Sequence, residues 1–447
     1  MVMKYSKYNI FSRIKDSENF FIINLLSGNA DILSNSDADK INVIRNGGAI
    51  SDTELANELE NKGYLVDDIE EERLYRNKYL DFIDARDEDE IQIFFVTNYS
   101  CNFACTYCYQ DQYNNVGSEL NIEVIDAFFT YVQKEFAGRK KYITIFGGEP
   151  LLDSPKQKEL IAYILDRANE SNLELSFVTN GYALAEYTAL FNRGTIREVQ
   201  VTLDGTETVH NSRRFLKGGD GTFKKIVEGI DSCLGNNINI NLRMVIDRDN
   251  IENLPELAQF AVDKGWTKSA YFKTQIGRNY ELHHCQSASE KLFDRVSIFE
   301  KIFELTKQHP YILEFYRPAY SVAKFLLENG ELPDPLFDAC PACKTEWAFD
   351  YTGEIYSCTA TVGKRDESLG TFYPTVVRKD SIIDQWERRD ITVIPECKEC
   401  SVQLACGAGC GSVAKNRTGN ICSTDCRPVK ELLEMGFSAY FENVVEL

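Results

Sequence analysis

From about residue 91 the chain repeats one device: a short apolar run, a turn rich in Gly, Asn or Asp, and then an amphipathic stretch. The apolar runs are IQIFFVTN, KYITIFGG, LELSFVTNG, EVQVTLDG, INLRMVI and SAYFKTQIG, with segments such as NIEVIDAFFTYVQKEF between them. Strands alternating with helices of this length predict an α/β fold with a parallel sheet and right-handed crossovers. Six such units predict a partial (βα)6 TIM-like barrel rather than a closed eightfold one. Barrels of this kind carry their chemistry on the loops that follow the strands, where TNY, GGEP, TNG and LDG fall here.

The pattern differs on either side of this region. Residues 1–90 open with the alternating segments YNIFSRI and NFFIINLLSGNADIL, read as strands of a hairpin or meander. SDADKINVIRNG and SDTELANELENKG then start on Ser or Asp cap candidates and close on Gly, and YLVDDIEEERLYRNKYLDFI continues into a charged helix. Together they predict a small winged-helix-like module. The acidic DARDEDE at 84–90 is either its boundary or a solvated helix end. After a barrel over 91–285, residues 286–336 read as a helical bridge. Residues 337–447 form an irregular region holding nine of the 14 cysteines.

Composition sets limits on what this organisation can do. With 447 residues, 43% hydrophobic and 26% charged, the chain is long enough for two or three domains. It has no apolar run that could span a bilayer and no secretory h-region near its start, so a cytoplasmic protein without a membrane partner is expected. A net charge of -20 argues against nucleic acid as a partner. In a reducing compartment, clustered thiols bind metal or do redox chemistry more often than they form disulfides.

Cys101, Cys105 and Cys108 follow the first predicted barrel strand as C-x3-C-x2-C, with Tyr107 before the last. Three thiolates hold only part of a [4Fe-4S] cluster and leave one iron open to another ligand. A zinc site is the alternative, but structural zinc takes four ligands and no fourth Cys or His is near in sequence. The spacing resembles the signature of the radical S-adenosylmethionine enzymes, and GGEP resembles that family's second-strand motif. The resemblance implies that Gly147, Gly148 and Glu149 accept the amino group of the methionine moiety. It also implies that the cluster-bound cofactor yields a 5'-deoxyadenosyl radical that abstracts a substrate hydrogen. VTLDGTETVHNSRR resembles the fourth-strand segment, which implies Thr202 on the ribose and Arg214 on the carboxylate, although the adjacent Arg213 leaves that choice open. By the same resemblance Tyr107 neighbours the adenine. Asn180 is either a ligand contact or a strand-end cap.

The cysteine-dense region resembles the SPASM domain of maturases in that family. Cys343 is followed by nine residues, Gly353, four residues and Cys358, and Cys397, Cys400, Cys406 and Cys410 follow as C-x2-C-x5-C-x3-C before Cys426. The resemblance implies two auxiliary [4Fe-4S] clusters and three clusters in all. Cys343, Cys358 and Cys410 would hold the first, with Cys340 as fourth ligand unless that iron is left open to a substrate thiol. Cys397, Cys400, Cys406 and Cys426 would hold the second, with Cys422 as an alternative to Cys426. Cys233 reads as core packing, and Cys285 has no assigned role.

The resemblance implies a peptide maturase acting on a ribosomally made precursor, with the N-terminal module engaging a leader and a flavodoxin or ferredoxin supplying electrons. The expected product is an intramolecular crosslink, a thioether first and a carbon-carbon or carbon-oxygen bond next. A structural cap on the barrel is the other reading of that module. An anaerobic sulfatase-maturase-like oxidation of a Cys or Ser side chain is the second function considered. Against it, Thr359 stands where that subfamily carries a catalytic Asp. A nonenzymatic iron-sulfur electron carrier is the alternative of another class, but it leaves GGEP unexplained.

Overall fold

The computed structural model describes residues 3–48, 52–108, 119–278 and 289–441. The N-terminal module is a three-stranded antiparallel meander of β2 (Asn9–Arg13), β3 (Phe20–Asn24) and β4 (Asn29–Leu33). It is flanked by a short pair, β1 (Lys4–Tyr5) with β5 (Leu65–Val66). Two helices sit between β4 and β5, Asn35–Arg45 and Thr53–Asn61. Ser34 and Asp52 accept from the Asp37 and Leu55 amides at their starts; Asp52 is a cap candidate read from sequence, whereas the first helix starts before the expected Ser36 and is capped by Ser34 instead. A 21-residue helix, Asp68–Glu88, then carries the chain to the barrel. It takes up most of DARDEDE, which is therefore a solvated helix end.

The six apolar runs form β6 (Ile91–Val96), β7 (Lys141–Phe146), β8 (Leu175–Thr179), β9 (Ile196–Thr202), β10 (Ile240–Ile246) and β11 (Phe272–Arg278). They are hydrogen-bonded in chain order, all parallel. The sheet continues past β6. There β12 (Glu346–Asp350) pairs parallel with it, followed by antiparallel β13 (Glu354–Tyr356), β14 (Gly370–Thr371) and β15 (Val377–Arg378). The start of the cysteine-dense region is thus built into the barrel sheet. Trp347 and Phe349 of β12 are buried, with ring contacts to Phe136 and Phe128 on the helix side.

The N-terminal module packs against the C-terminal region. Tyr8, Ile10, Phe21 and Ile23 share a buried cluster with Phe337, Leu433 and Phe437. Phe21 stacks on Phe437 of the closing helix Val429–Phe441, with ring centroids 4.6 Å apart. Tyr79 donates to Asp390 at 2.8 Å, and the Lys15 amide donates to the Glu434 carbonyl at 3.1 Å. Truncating one partner of a buried aromatic stack removes its transfer energy and leaves a cavity. Phe437→Ala should therefore cost about 3 to 5 kcal/mol. It should be read as earlier proteolytic release of the N-terminal module during a denaturant titration. Unchanged release would mean that the two regions are not energetically joined there.

Candidate active site

Cys101, Cys105 and Cys108 lie half-buried on the loop that leaves β6. That loop is pinned from two sides by backbone. On one side Gly148 N donates to Asn98 O at 2.9 Å and Glu149 N to Ser100 O at 2.8 Å. Gly147 has φ +145°, and a Cβ at Gly148 would sit 2.6 Å from the Tyr99 carbonyl oxygen, so GG is needed for the two segments to touch at all. On the other side Ala104 N donates to Phe215 O at 2.8 Å, Thr106 N to Arg213 O at 3.0 Å and Lys217 N to Asn102 O at 2.9 Å. The phenol of Tyr99 reaches Asp350 of β12 at 2.8 Å, which joins the loop to the cysteine-dense region.

The residues expected from the second to fourth strands converge on this loop. Glu149 is buried, and its carboxylate accepts from Leu151 N at 2.8 Å, the Thr179 hydroxyl at 2.6 Å and Asn180 N at 2.6 Å. Burial nevertheless pushes its pKa up to about 6. Asn180 makes the strand-end cap: its Oδ1 accepts from Tyr182 N at 2.9 Å, while its Nδ2 donates to Asn102 at 2.8 Å and lies 3.7 Å from Cys101 Sγ. Burial, and then the nearby Glu149 charge, push the Cys101 thiol up to about 11. Thr202 is buried at the end of β9.

Arg213 and Arg214 take different roles. Arg213 is locked in a buried ion pair, 2.7 and 3.0 Å from the two Asp247 oxygens, with Asp204 at 3.3 Å. Arg214 donates to the Tyr107 hydroxyl at 2.8 Å and keeps a buried Nε with no hydrogen-bond partner among the described residues. Burial holds Tyr107 well above the usual phenol range, so it stays protonated.

The later cysteines gather in two groups. Burial drives Cys358 well above the thiol range, with Glu346, Cys340 and Cys410 adding to the shift, and Cys343 is raised by burial with Cys340 among its neighbours. Burial raises Cys397 to about 12, with Cys406, Cys400 and Cys426 next to it. Buried Cys233 packs in the barrel core. Cys285 lies outside the described residues. Among the described residues no group of three or more His, Cys, Asp or Glu side chains converges as a single metal ion requires.

Two buried side chains hold the groups in register. Arg389, fully buried, donates to Asp338 at 3.1 Å and to the carbonyls of Ile421, Ala408 and Ser423 at 2.9 to 3.1 Å. Asp425 accepts from Cys410 N at 3.1 Å, one residue before Cys426.

A cavity of about 390 Å³ connects the barrel lumen to the first of these groups. Cys340, Cys358 and Cys410 line one wall, and Thr144, Gln200 and Arg243 of the barrel strands line another. Thr359 and Glu346 also face it, and Glu346 Oε1 accepts from the Thr359 amide at 2.7 Å and its hydroxyl at 3.0 Å. Neither Glu346 nor Arg243 was singled out from sequence. A single charge inside the apolar run INLRMVI was the available signal for Arg243.

A parallel partial barrel with three thiols on the loop after its first strand, facing a buried carboxylate, is a cofactor-binding barrel of a particular kind. Residues 95–261 match the radical SAM superfamily model, and the chain carries a radical SAM domain there. The cysteine-type anaerobic sulfatase-maturating enzyme of Clostridium perfringens is 22% identical over 359 residues, 75% of this chain and 93% of that one. The serine-type enzyme of Bacteroides thetaiotaomicron is 22% identical over 365 residues, 77% and 86% of the two chains. Among solved structures, native anSMEcpe with bound AdoMet aligns with a TM-score of 0.59 at 17% identity, covering 79% of this chain and 98% of that one. Streptococcus suis SuiB bound to S-adenosylmethionine aligns with a TM-score of 0.53 at 12% identity, covering 96% and 99%. At these identities the structural likeness speaks to fold alone. Coverage of 96% necessarily takes in most of the N-terminal module.

The close backbone contact makes a specific prediction. Gly148→Ala should push the cysteine loop outward and lower the iron bound after anaerobic reconstitution by about four atoms per chain, one [4Fe-4S] cluster. Full iron content in this variant would show that the contact does not position the thiols.

Proposed function

We propose that the chain is a radical S-adenosylmethionine peptide maturase that installs an intramolecular crosslink, preferentially a thioether, in a ribosomally made precursor. The observation that carries this reading is the cavity running from the barrel lumen to Cys340, Cys358 and Cys410. It offers a substrate segment room inside the barrel lumen against a second thiol-rich centre.

The residues fit the cofactors the fold implies. Cys101, Cys105 and Cys108 would hold the first cluster, and Glu149, Asn180, Thr202 and Arg214 with Tyr107 would seat S-adenosylmethionine. The unpartnered Nε of Arg214 is a donor left over for an anion, whereas Arg213 is already neutralised by Asp247. Cys340, Cys343, Cys358 and Cys410 would hold one auxiliary cluster and Cys397, Cys400, Cys406 and Cys426 the other, a division that the charged neighbours of Cys358 and Cys397 support. When bound and reduced, the first cluster and S-adenosylmethionine supply a carbon radical able to take a substrate hydrogen. The chain's own part is to orient the substrate and exclude water from the lumen, with an external flavodoxin or ferredoxin as electron donor.

Peptide binding by related folds supports a peptide substrate: SuiB has been solved with its precursor SuiA, and anSMEcpe with the Cp18Cys peptide. In the N-terminal module β4 pairs on one side only, with β3, and offers an edge to which a leader can add as a strand. A sulfatase-maturase-like oxidation is the second reading. It is favoured by one observation: the Glu346 carboxyl is hydrogen-bonded to Thr359, so an acid stands beside the position that carries Asp in that subfamily.

The deciding experiment incubates reconstituted, reduced protein with S-adenosylmethionine and short cysteine-containing reading frames encoded beside its gene. Formation of 5'-deoxyadenosine with loss of two hydrogens from a peptide is expected. A sulfatase substrate converted in place of a peptide would favour the second reading, and no cofactor cleavage would leave an electron carrier. Cys105→Ala should abolish cleavage, and retained cleavage would contradict the ligand assignment.

The raised pKa of Glu149 gives a pH test. The carboxylate that accepts from the methionine amino group is present above pH 6 and is lost as pH falls through 6. Affinity for S-adenosylmethionine should therefore fall by about tenfold per unit below that point. Glu149→Gln should bind weakly with a flat profile in equilibrium dialysis, and a sloping profile in the variant would assign the titration elsewhere.

A further inference from the structure

Arg243 is a charge in the middle of a parallel strand whose neighbours Leu242 and Met244 are fully buried. It pairs in register with Thr202 on β9 and with Gln275 on β10's other neighbour, β11. Residues paired this way point to the same face of the sheet, so Arg243 stands beside the position proposed above for the cofactor ribose. Its guanidinium lies over Gly277: a Cβ there would come within 2.7 Å of Nε and 2.8 Å of Nη2. Gly277 thus leaves the space in which this side chain extends along the lumen.

The charge balance in the cavity is uneven. Glu198 is already met by Lys273 at 2.5 Å and by Asn241 at 3.2 Å, and Glu346 is engaged by Thr359. Arg243 pairs with no carboxylate among the described residues, and its Nε is buried without a hydrogen-bond partner. It is the one basic side chain among the described residues lining the cavity. An unpaired guanidinium with a buried donor, half enclosed in a cavity that reaches the thiol-rich wall, is costly unless an anion completes it. A planar guanidinium fits a carboxylate through two parallel hydrogen bonds better than it fits any neutral group.

We infer that Arg243 is a specificity-determining residue that holds a carboxylate of the substrate peptide, an Asp or Glu side chain, inside the lumen between the radical site and Cys340, Cys358 and Cys410. The inference rests on the peptide-maturase reading and narrows it. The segment to be modified carries an acidic residue at a fixed distance from its reacting position, and Arg243 sets which residue faces the radical.

The test immobilises the reconstituted holoenzyme with S-adenosylmethionine and challenges it with a displayed peptide library in which one cysteine is fixed and its flanks are randomised. Wild-type protein should enrich Asp or Glu at one spacing from the cysteine by about tenfold, the strength of one charged hydrogen-bonded pair. Arg243→Gln should lose that enrichment and Arg243→Lys should keep part of it. Gly277→Ala displaces the same guanidinium without removing its charge, and should weaken the enrichment even if Arg243→Gln fails to fold by iron content and melting.

Binders without acidic preference, or a preference unchanged in Arg243→Gln, would overturn the inference and leave the maturase reading standing. No binders at all from a protein that still cleaves S-adenosylmethionine would overturn both. A loss of cofactor affinity in Arg243→Gln as large as the loss of peptide would place the guanidinium on the cofactor and overturn the inference alone.

Discussion

Two stretches of backbone, residues 98–100 and 147–149, lie so close that no side chain fits between them, and the site depends on that contact. Gly148 and Glu149 donate their amides to the carbonyls of Asn98 and Ser100, and any Cβ at Gly148 would strike the loop. The glycines therefore serve the protein's own packing as well as any ligand. Because the hydrogen bonds run from the residues that carry Glu149, its carboxylate is held in a fixed relation to the thiol loop. Thr179 and Asn180 from the end of β8 then fix the carboxylate from its other side. Three consecutive strand ends are thereby brought to one point by main-chain geometry, and the side chains add chemistry to a frame already set.

Buried arginines do comparable work elsewhere. Arg213 ties the helix after β9 to Asp247 beyond β10, and Arg389 gathers three carbonyls of the cysteine-dense region around Asp338. Taking such charges out of water costs several kcal/mol per ion, so these pairs are weak sources of stability. Their value is positional: a guanidinium with fixed fork geometry holds irregular chain where no sheet or helix can. The same reasoning separates Arg213 from its neighbour. Arg213 is saturated by protein carboxylates, while Arg214 has only a phenol and retains a donor.

The barrel was legible because its strands are mostly apolar and separated by amphipathic helices, a signal that depends on local order alone. The cysteine ligand groups were read from spacing and resemblance, because thiols far apart in sequence carry no other mark of which of them meet. β12 was not read, because EWAFD is short and lies among turns and cysteines, and its partner Gln92–Val96 is remote in sequence. The seating of the N-terminal module on the closing helix was equally hidden: Phe21 and Phe437 carry no mark of each other. Between Arg213 and Arg214 resemblance pointed to Arg214 but the residues themselves left the choice open, since their different partners, Asp247 with Asp204 and Tyr107, are brought up only by the fold. Arg243 was missed for the opposite reason, as a single charge in a segment classified by its apolar neighbours, and Glu346 was missed with the strand that carries it.

The pairing of β12 with β6 has a consequence for how the protein is made. β6 is among the first barrel strands to leave the ribosome, yet the strand that covers its edge comes after β11 and the helices that follow it. At ordinary synthesis rates that interval lasts roughly tens of seconds. Throughout it, the main-chain groups of Ile91–Val96 on that side face solvent as an open apolar edge, the kind of template on which nascent chains aggregate. The same open edge leaves the lumen accessible from the side that β12 later closes. Arrival of the cysteine-dense segment therefore covers this edge of the sheet, while β11 stays the outer strand on the other side.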